Sequence, residues 1–374
     1  MRIGVSTFAL AQGRSGVSTY IRELLRALQL EDSENSYDLF MTNEQAAQIP
    51  LTNPNFTRSI FPAVVGRPLL NQVWHNAVPA VRRKAYDVLH IPTARRIPLI
   101  KSTKTVATVH DMAAFSVKAK YDPARTLFNR HLIPAMIRRA DHVIAVSHST
   151  RNDIIRFTGL PEDRISVIYS GIDHDLFRPV SPADARRHLH EQYGMEKPFL
   201  LYVSRIEHPA KNHVRLIEAF ERFKLENDSA HQLVLAGADW HGAQAVKARA
   251  AASPVKDDIR FPGFVPAGSL PALYSGCDLM VFPSLFEGFG FPVIEALACG
   301  APVICSGTSS MIELAGDLIP TFDPFRAETI FEGLEQALST GQSKEMKSRG
   351  MEHALGFDWR KTAGHVMEVY RSLS

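Results

Sequence analysis

Short runs of valine, isoleucine and leucine alternate along the chain with segments whose apolar residues recur at helical spacing. An apolar run of roughly four to eight residues is typical of a strand buried on both faces. The helical pattern is clearest in Thr19–Leu30, where Ile21, Leu24, Leu25 and Leu28 share one face. In the first half of the chain, the predicted strands are residues 2–7, 87–91, 105–110, 142–147 and 165–170. Alternating strands and helices predict a parallel, doubly wound α/β sheet.

The same alternation starts again in the second half of the chain. Its predicted strands are residues 199–204, 231–237, 258–263, 278–284 and 301–306. The polar segment 173–187, which is punctuated by proline, is predicted to be a linker between the two series. A last amphipathic helix is predicted from about Trp359 to Leu373. Because 374 residues are too many for one ordinary core, we expect two Rossmann-like domains, residues 1–177 and 178–357.

Composition narrows the class of protein. With 45% hydrophobic and 22% charged residues, the chain has the composition of an ordinary globular protein. No run of 18 apolar residues is present, so no membrane-spanning helix is expected. Cys277, Cys299 and Cys305 are too few and too unevenly spaced for a disulfide framework or a zinc site. We therefore expect a cytoplasmic protein from a reducing compartment.

Charge is distributed unevenly between the two halves. Residues 1–180 carry 23 basic and 15 acidic side chains, a balance of +8, whereas the remainder carries 19 and 24, a balance of −5. Between Glu44 and Asp111 the only acid is Asp87, against nine bases in the stretch 58–104. The positive electrostatic potential of such a stretch attracts an anionic lipid surface or a phosphorylated acceptor. An ordinary solvated basic face is an equally good interpretation.

The carboxyl ends of parallel strands bind the ligands of open α/β sheets, so residues directly after predicted strands are the functional candidates. In the segment 283–306, a loop with Glu287, Gly288 and Gly290 leads into a helix that begins near Pro292. Glycines let this backbone approach a ligand closely, and the free N–H groups of the helix start favour phosphate or sugar hydroxyls. We expect Glu287 and Glu295 to accept hydrogen bonds from a diol. The alternative for Glu295 is a favourable acid in the first helical turn.

A cationic segment follows the strand 199–204. Arg205 comes directly after this strand, and Lys211 precedes a helix predicted over Asn212–Lys224. Two cations at a strand end, beside a helix start, suit a diphosphate. The alternatives are that Arg205 pairs with Glu207 and that Lys211 is solvated.

Two weaker candidates follow strands of the first half. Gly13 and Gly16 form a glycine turn before the first helix, without the G-x-G-x-x-G spacing of a dinucleotide site. His110 and Asp111 end the strand 105–110. For His110, contact with a ligand and simple packing are about equally supported.

The segment Asp173-His174-Asp175 matches the D-x-D pattern of metal-dependent sugar transferases. It lies in the predicted linker and does not follow a central strand. We interpret it as linker polarity and predict no metal site.

Several stretches together resemble the family-four retaining glycosyltransferases of the GT-B fold, over nearly the whole chain. They are GRSGVSTYIREL, TVHDM, HVIAVSHSTRNDI, ISVIYSGIDHDLF, SRIEHPAKNHVRLIEAF and FEGFGFPVIEALACGAPVICS. The resemblance implies two facing Rossmann-like domains with a cleft between them. It also implies that residues 358–374 return to the first domain.

The resemblance further implies roles for the residues in those stretches. Arg205 and Lys211 would neutralise the donor diphosphate, Glu287 would hold sugar hydroxyls and Glu295 would take the ribose hydroxyls. Gly16 would approach the β-phosphate, and His110, with Asp111 beside it, would contact the donor sugar near the reacting carbon. The remaining donor-binding positions are Phe264 and Val265 beside the base and the turn Phe289, Gly290, Phe291, Pro292, Val293 and Ile294.

The expected activity is metal-independent hexosyl transfer with retention, without a cofactor, from a nucleotide-diphosphate sugar of the GDP or UDP type. By resemblance we favour GDP-mannose as donor and surface-polysaccharide synthesis as the setting. The expected acceptor is a saccharide or a polyprenyl-diphosphate-linked sugar. The basic stretch 58–104, which includes the amphipathic residues 69–81, would seat the lipid-linked acceptor at the anionic inner face of the cell membrane. The same residues are equally well a packed helix, and no nucleic acid partner is expected.

Three other functions remain possible from the sequence. They are a nucleotide-sugar epimerase of the same architecture, a dinucleotide-dependent oxidoreductase and a non-catalytic sugar-nucleotide sensor. The missing G-x-G-x-x-G motif counts against the oxidoreductase. The presence of Arg205, Lys211, Glu287 and Glu295 counts against the sensor.

Overall fold

A computed structural model describes residues 1–10, 15–66, 68–81, 85–98, 103–117, 126–341 and 344–373. These residues form two compact units. The first contains the described residues of Met1–Phe115, Tyr121–Gly171 and Asp358–Ser374, and the second contains those of Ile172–Phe357 and Ser116–Lys120. The division between the units falls after Gly171, and the described residues from Asp358 onward belong to the first unit.

A seven-stranded parallel sheet forms the centre of the first unit, in the order β3-β2-β1-β4-β5-β6-β7. Its strands are β1 (Arg2–Ser6), β2 (Ser36–Met41), β3 (Phe56–Ile60), β4 (Val88–Ile91), β5 (Lys104–Val109), β6 (His142–Ala145) and β7 (Ile165–Val167). The α-helices described along this part of the chain are Gly16–Glu31, Asn43–Ala46, Pro68–Val81, Ala113–Ser116, Ile133–Arg139 and His148–Thr158, followed by Trp359–Ser372 at the end of the chain. Short 3₁₀ turns cover Ala63–Gly66, Ala94–Arg96 and Glu162–Arg164, and a π-helical turn covers Phe128–Leu132.

A six-stranded parallel sheet forms the centre of the second unit, in the order β10-β9-β8-β11-β12-β13. Its strands are β8 (Phe199–Val203), β9 (Gln232–Ala236), β10 (Ile259–Gly263), β11 (Leu279–Phe282), β12 (Val303–Ser306) and β13 (Thr321–Phe322). The α-helices described here are Pro182–Tyr193, His213–Asn227, Ala243–Ala251, Leu270–Gly276, Phe291–Ala298, Ser310–Ala315, Ala327–Thr340 and Lys344–Ala354. Lys256–Asp258 and Ala267–Ser269 are 3₁₀ turns.

Two parallel, doubly wound sheets confirm the predicted fold class. The ten predicted strands all form, with ends that differ by a few residues. The structure adds β2, β3 and β13, which the sequence analysis did not identify. Of these, β3 buries only Phe56 and β13 only Phe322, so their hydrophobic signal is weak. Strand β2 buries five of its six residues, but Asp38 interrupts its apolar run.

Local sequence explains how the main helices begin. The side chains of Ser15 and Ser147 cap their helices by accepting hydrogen bonds from the N–H groups of Ser18 and Thr150. The predicted linker is partly wrong, because a helix already begins at Pro182 after the cap residue Ser181. Proline fits the first turn of a helix, where its missing N–H has no partner to lose.

The last helix, Trp359–Ser372, belongs to the first unit. The hydroxyl of Tyr370 lies 2.6 Å from Nδ1 of His90 in β4, and the hydroxyl of Thr362 donates to the carbonyl of Tyr169 at 2.8 Å. This helix therefore completes the core of the first unit through contacts with residues that lie 193 and 280 positions earlier in the chain.

Candidate functional site

An ion pair joins two of the predicted site residues in the second unit. Nζ of Lys211 lies 2.5 Å from Oε1 of Glu287. Lys211 is on the segment that follows β8, and Glu287 is on the loop that follows β11, the neighbouring strand in the sheet. The structure therefore brings the two residues together at the carboxyl edge of this sheet. Lys211 is not the solvated side chain of the alternative interpretation.

Arg205 has two partners within the same unit. Its Nη2 donates to Oε2 of the buried Glu207 at 3.0 Å, and its guanidinium carbon lies 4.8 Å from the ring centre of Trp240. The pairing with Glu207, left open by the sequence, is thus present. The pairing is compatible with binding of a phosphate by Arg205, because a guanidinium has five N–H donors and Glu207 occupies only one edge of it.

The loop with Glu287 is held by the serines that start the helix Ser310–Ala315. The N–H of Glu287 donates to Oγ of Ser309 at 3.0 Å, and Oγ of Ser310 lies within 3.0 Å of the carbonyl oxygens of Glu287 and Phe289. Gly290 has φ of 108°, a backbone conformation that residues other than glycine rarely adopt. A Cβ atom there would lie 2.2 Å from Cε of Met311, so only glycine fits this turn without rearrangement.

The predicted donor-binding residues of the helix Phe291–Ala298 differ in their position along the helix and in their burial. Pro292 lies in the first turn, as predicted, with Gly290 as the preceding cap residue. The alternative interpretation, which placed Glu295 in the first helical turn, was wrong, because the helix begins at Phe291 and Glu295 is its fifth residue. The side chains of Val293 and Ile294 are wholly buried, so any contact of these two residues with a ligand would be through the backbone.

Glu295 is buried and accepts a hydrogen bond from the hydroxyl of Tyr274, with 2.9 Å between the oxygens. Burial raises the pKa of Glu295 to about 7, and the hydrogen bond from Tyr274 opposes this shift. The predicted contact with ribose hydroxyls stays a prediction.

The remaining predicted donor contacts differ in exposure. Phe264 follows β10 and exposes 52% of its surface, whereas Val265 is buried. Phe289 is buried and packs edge-on against Phe291, with 5.0 Å between ring centres. The exposed ring of Phe264 thus lies at a strand end, where aromatic rings can stack on a base, whereas the side chain of Val265 is buried.

His110 and Asp111 lie in the first unit, directly after β5. Nε2 of His110 lies 3.1 Å from the carbonyl oxygen of Pro92, which fixes Nε2 as the protonated nitrogen. The ring also packs edge-on against Tyr20, with 4.9 Å between ring centres. Burial lowers the pKa of His110, so the imidazole is neutral and Nδ1 is a hydrogen-bond acceptor. Oδ1 of Asp111 accepts a hydrogen bond from the N–H of Ala113 at 3.0 Å.

The glycine turn is only partly described. Gly16 is the first residue of the helix Gly16–Glu31, and Gly13 lies outside the described residues. In the basic stretch, Arg67, Arg82, Arg83, Lys84 and Lys101 also lie outside them. The residues 69–81 form a helix, as one interpretation of the sequence had it, with Trp74 and His75 buried and Leu70 and Val73 exposed.

Asp173 has a structural role in a turn. Its Oδ1 accepts hydrogen bonds from the N–H groups of Asp175 and Leu176 at 3.1 and 3.3 Å. Among the described residues, no group of three or more histidine, cysteine, aspartate or glutamate side chains is arranged to hold a metal ion. Within the same part of the chain, no helix is long and apolar enough to cross a membrane.

Five supporting residues were missed by the sequence analysis, namely Tyr202, Asn212, Trp240, Tyr274 and Ser310. Asn212 and Trp240 follow strands, and that position was a usable signal. Tyr202 and Tyr274 lie inside a strand and a helix, where an aromatic residue is expected to be part of the core.

The family follows from comparison of the chain with known protein families. The model described as glycosyl transferases group 1 matches residues 186–353, and the model described as Glycosyltransferase Family 4 matches residues 14–176. The chain belongs to the glycosyltransferases that these two models describe, group 1 and Family 4. The two matched segments correspond to the two units, and both predicted motifs of the second half fall within the first of these matches.

Curated relatives include bacterial mannosyltransferases. The glycosyltransferase is 26% identical to O-antigen chain mannosyltransferase B from Escherichia coli, over the whole length of both chains. It is also 31% identical over 275 residues to the serotype-specific mannosyltransferase WbdA from Escherichia coli, in an alignment that covers 72% of this chain and 34% of WbdA. The chain thus spans about a third of the length of WbdA.

Solved structures of similar fold include sucrose-phosphate synthase from Thermosynechococcus elongatus, with a TM-score of 0.81, 20% identity and coverage of 100% and 99% of the two chains. Anabaena HepE in complex with UDP and glucose has a TM-score of 0.76 and 19% identity, with both chains fully covered. At these identities the similarity shows the fold, which is GT-B.

Proposed function

We propose that this glycosyltransferase moves mannose from GDP-mannose to a saccharide or polyprenyl-diphosphate-linked acceptor in O-antigen synthesis, with retention of configuration and without a metal ion. The choice of mannose is supported by the names of its relatives, one of which is similar over its entire length. The basic balance of the first half supports work at an anionic membrane face.

The observation that carries the transfer chemistry is the contact between Lys211 and Glu287 at a strand edge that also carries Arg205. When the bond from the anomeric carbon to the diphosphate breaks, negative charge develops on the leaving phosphate. Preorganised cations lower the energy of that charge, as a metal ion does in other transferases. Glu287 would accept hydrogen bonds from the sugar hydroxyls while Lys211 turns to the phosphate.

Retention follows if the acceptor attacks the face from which the diphosphate leaves. The acceptor oxygen forms the new bond to the anomeric carbon, and its proton passes to the departing phosphate oxygen. The products are then the glycosylated acceptor and a nucleoside diphosphate. No carboxylate in the matched motifs is assigned as a base on the opposite face.

The test is a transfer assay in the presence of EDTA with GDP-mannose, UDP-glucose, ADP-glucose and dTDP-glucose, using a mannose-terminated oligosaccharide as acceptor. We expect turnover with GDP-mannose and an α-linked product by NMR. A β-linked product from this α-donor contradicts retention, and loss of turnover in EDTA that added Mg²⁺ restores contradicts metal independence. Complete conversion of the donor without acceptor would instead identify an epimerase.

A further inference from the structure

The side chain of Asn212 ties together three loops at the carboxyl edge of the second sheet. Asn212 directly follows Lys211 and exposes only 2% of its surface. Its Nδ2 donates to the carbonyl of Pro283 at 3.0 Å, after β11, and to the carbonyl of Pro324 at 2.7 Å, after β13. Its Oδ1 accepts from Nη1 of Arg215 at 2.9 Å. Both amide protons and the amide oxygen are therefore used.

The backbone of Asn212 is also specialised. It has φ of 61° and ψ of 23°, a left-handed conformation that asparagine tolerates better than most residues do. It precedes the helix His213–Asn227, where an asparagine ordinarily accepts hydrogen bonds from the first N–H groups of the helix. Its side chain makes no such cap. The amide N–H groups are directed to the neighbouring loops, and the amide oxygen accepts from the side chain of Arg215 and not from the first N–H groups of the helix.

Two further ties join the same segments. The N–H of Leu285 donates to the carbonyl of Ala210 at 3.0 Å. The hydroxyl of Tyr202, in β8, donates to the carbonyl of Lys211 at 2.9 Å and lies 2.9 Å from Oγ of Ser284. The residues on both sides of Lys211 are thus bound to the loop that leads to Glu287.

We propose that Asn212 is a positioning residue for sugar transfer, which fixes the backbone of Lys211 relative to the loop of Glu287. A cation held in place stabilises developing charge without the cost of reorganising at the moment of reaction. Asn212 itself contacts no substrate and acts through Lys211. This inference rests on the proposed function, because it takes the leaving group to be a diphosphate.

A double-mutant cycle tests the coupling. Asn212→Asp keeps the size of the side chain but replaces the amide donor by a carboxylate oxygen that faces two carbonyl groups. We measure kcat and KM with the active nucleotide sugar for the wild type, Asn212→Asp, Lys211→Ala and the double variant. The expected result is a fall in kcat of about tenfold for Asn212→Asp in the wild type, with a smaller change in KM, and less than about twofold in the Lys211→Ala background.

Two variants separate positioning from damage to the fold. Asn227→Asp makes the same chemical change at the exposed far end of the same helix and should leave kcat and KM unchanged. Asn212→Gly tolerates the left-handed backbone and removes the amide, so it enters the same cycle if the aspartate variant does not fold.

The outcomes distinguish the two proposals. If Lys211→Ala lowers turnover and the Asn212 variants add their full loss to it, Asn212 does not act through Lys211 and the positioning role is overturned. If Lys211→Ala retains near-normal turnover, the leaving-group role in the proposed function fails, and the positioning role fails with it.

Discussion

Lys211 and Glu287 neutralise each other in the second unit, with 17% and 16% of their side chains exposed. Breaking an ion pair that is so little exposed to solvent is energetically costly, because removal of one partner leaves the other charge buried and unpaired. In the proposed function, a nucleotide sugar would bring its own negative charge to Lys211 and its own hydroxyls to Glu287. The pair could then separate on donor binding without either residue losing a polar partner.

Removal of this cation should lower turnover. For Lys211→Ala we expect kcat at saturating donor to fall roughly a hundredfold, about 3 kcal/mol of transition-state stabilisation. Lys197→Ala removes an exposed lysine paired with Asp258 in the same unit and serves as control, with no expected change. Turnover by Lys211→Ala equal to that of the control would contradict a role at the leaving group.

Replacement of Gly290 should disturb the loop that carries Glu287. Gly290→Ala places a Cβ atom in contact with Met311 at a backbone angle of 108°, so we expect kcat/KM to fall at least about tenfold. Gly268→Ala, where the added methyl group meets nothing within 4 Å, is the matched control. Met311→Ala in the Gly290→Ala background should restore little of the lost kcat/KM, because it relieves the contact with the added Cβ atom but not the backbone strain. Full restoration would show that the contact alone matters.

Binding of a nucleotide should be visible by tryptophan fluorescence. Trp240 exposes 56% of its surface beside Arg205, whereas Trp74 and Trp359 are buried in the first unit. We expect titration with GDP to change the emission of the wild type and to leave that of Trp240→Phe nearly unchanged. A signal of equal size in Trp240→Phe would show that the nucleotide binds away from Arg205 or acts through another tryptophan.

Glu295 should make the second unit less stable as the pH rises. Its pKa is about 7 in the folded protein against an ordinary 4.5, so the folded state binds more protons than the unfolded state between these values. The free energy of unfolding should fall across pH 4.5 to 7, on the order of 3 kcal/mol if fully expressed. Glu295→Gln keeps an acceptor for Tyr274 and removes this dependence. Urea unfolding should therefore give a higher free energy of unfolding for the variant than for the wild type at pH 8 but not at pH 5. An equal difference between the two proteins at both pH values would contradict the raised pKa of Glu295.

Buried histidines should act in the opposite direction. Burial lowers the pKa of His75, His90 and His213 to about 3. Because the unfolded state takes up protons as the pH falls below about 6.5, each group should cost about 2 kcal/mol of stability at pH 5. His90→Gln should therefore lose less stability than the wild type between pH 7 and pH 5, measured by urea unfolding. An identical loss in the two proteins would show that His90 is protonated in the folded state.

Sequence reasoning was most successful where a strand end carries an unusual combination of residues. Lys211 and Glu287 were 76 positions apart in the chain, yet each followed a predicted strand, and the parallel sheet brought them into contact. The exact helical position of Glu295 could not be obtained in the same way, because the helix begins at Phe291, one residue before the predicted start at Pro292. The partners of buried polar atoms, such as Pro283 and Pro324 for Asn212, depend on loop geometry that has no periodic signal.

The return of the helix Trp359–Ser372 to the first unit sets an order for folding during synthesis. Tyr370 supplies the hydroxyl beside His90, and Trp359 packs edge-on against Tyr20, with 5.7 Å between ring centres. A ribosome that has made only residues 1–171 has not yet made these partners. The span Ile172–Phe357, by contrast, contains every strand of its own six-stranded sheet. The part of the protein that is translated first is thus completed last, after the second unit has already had time to fold.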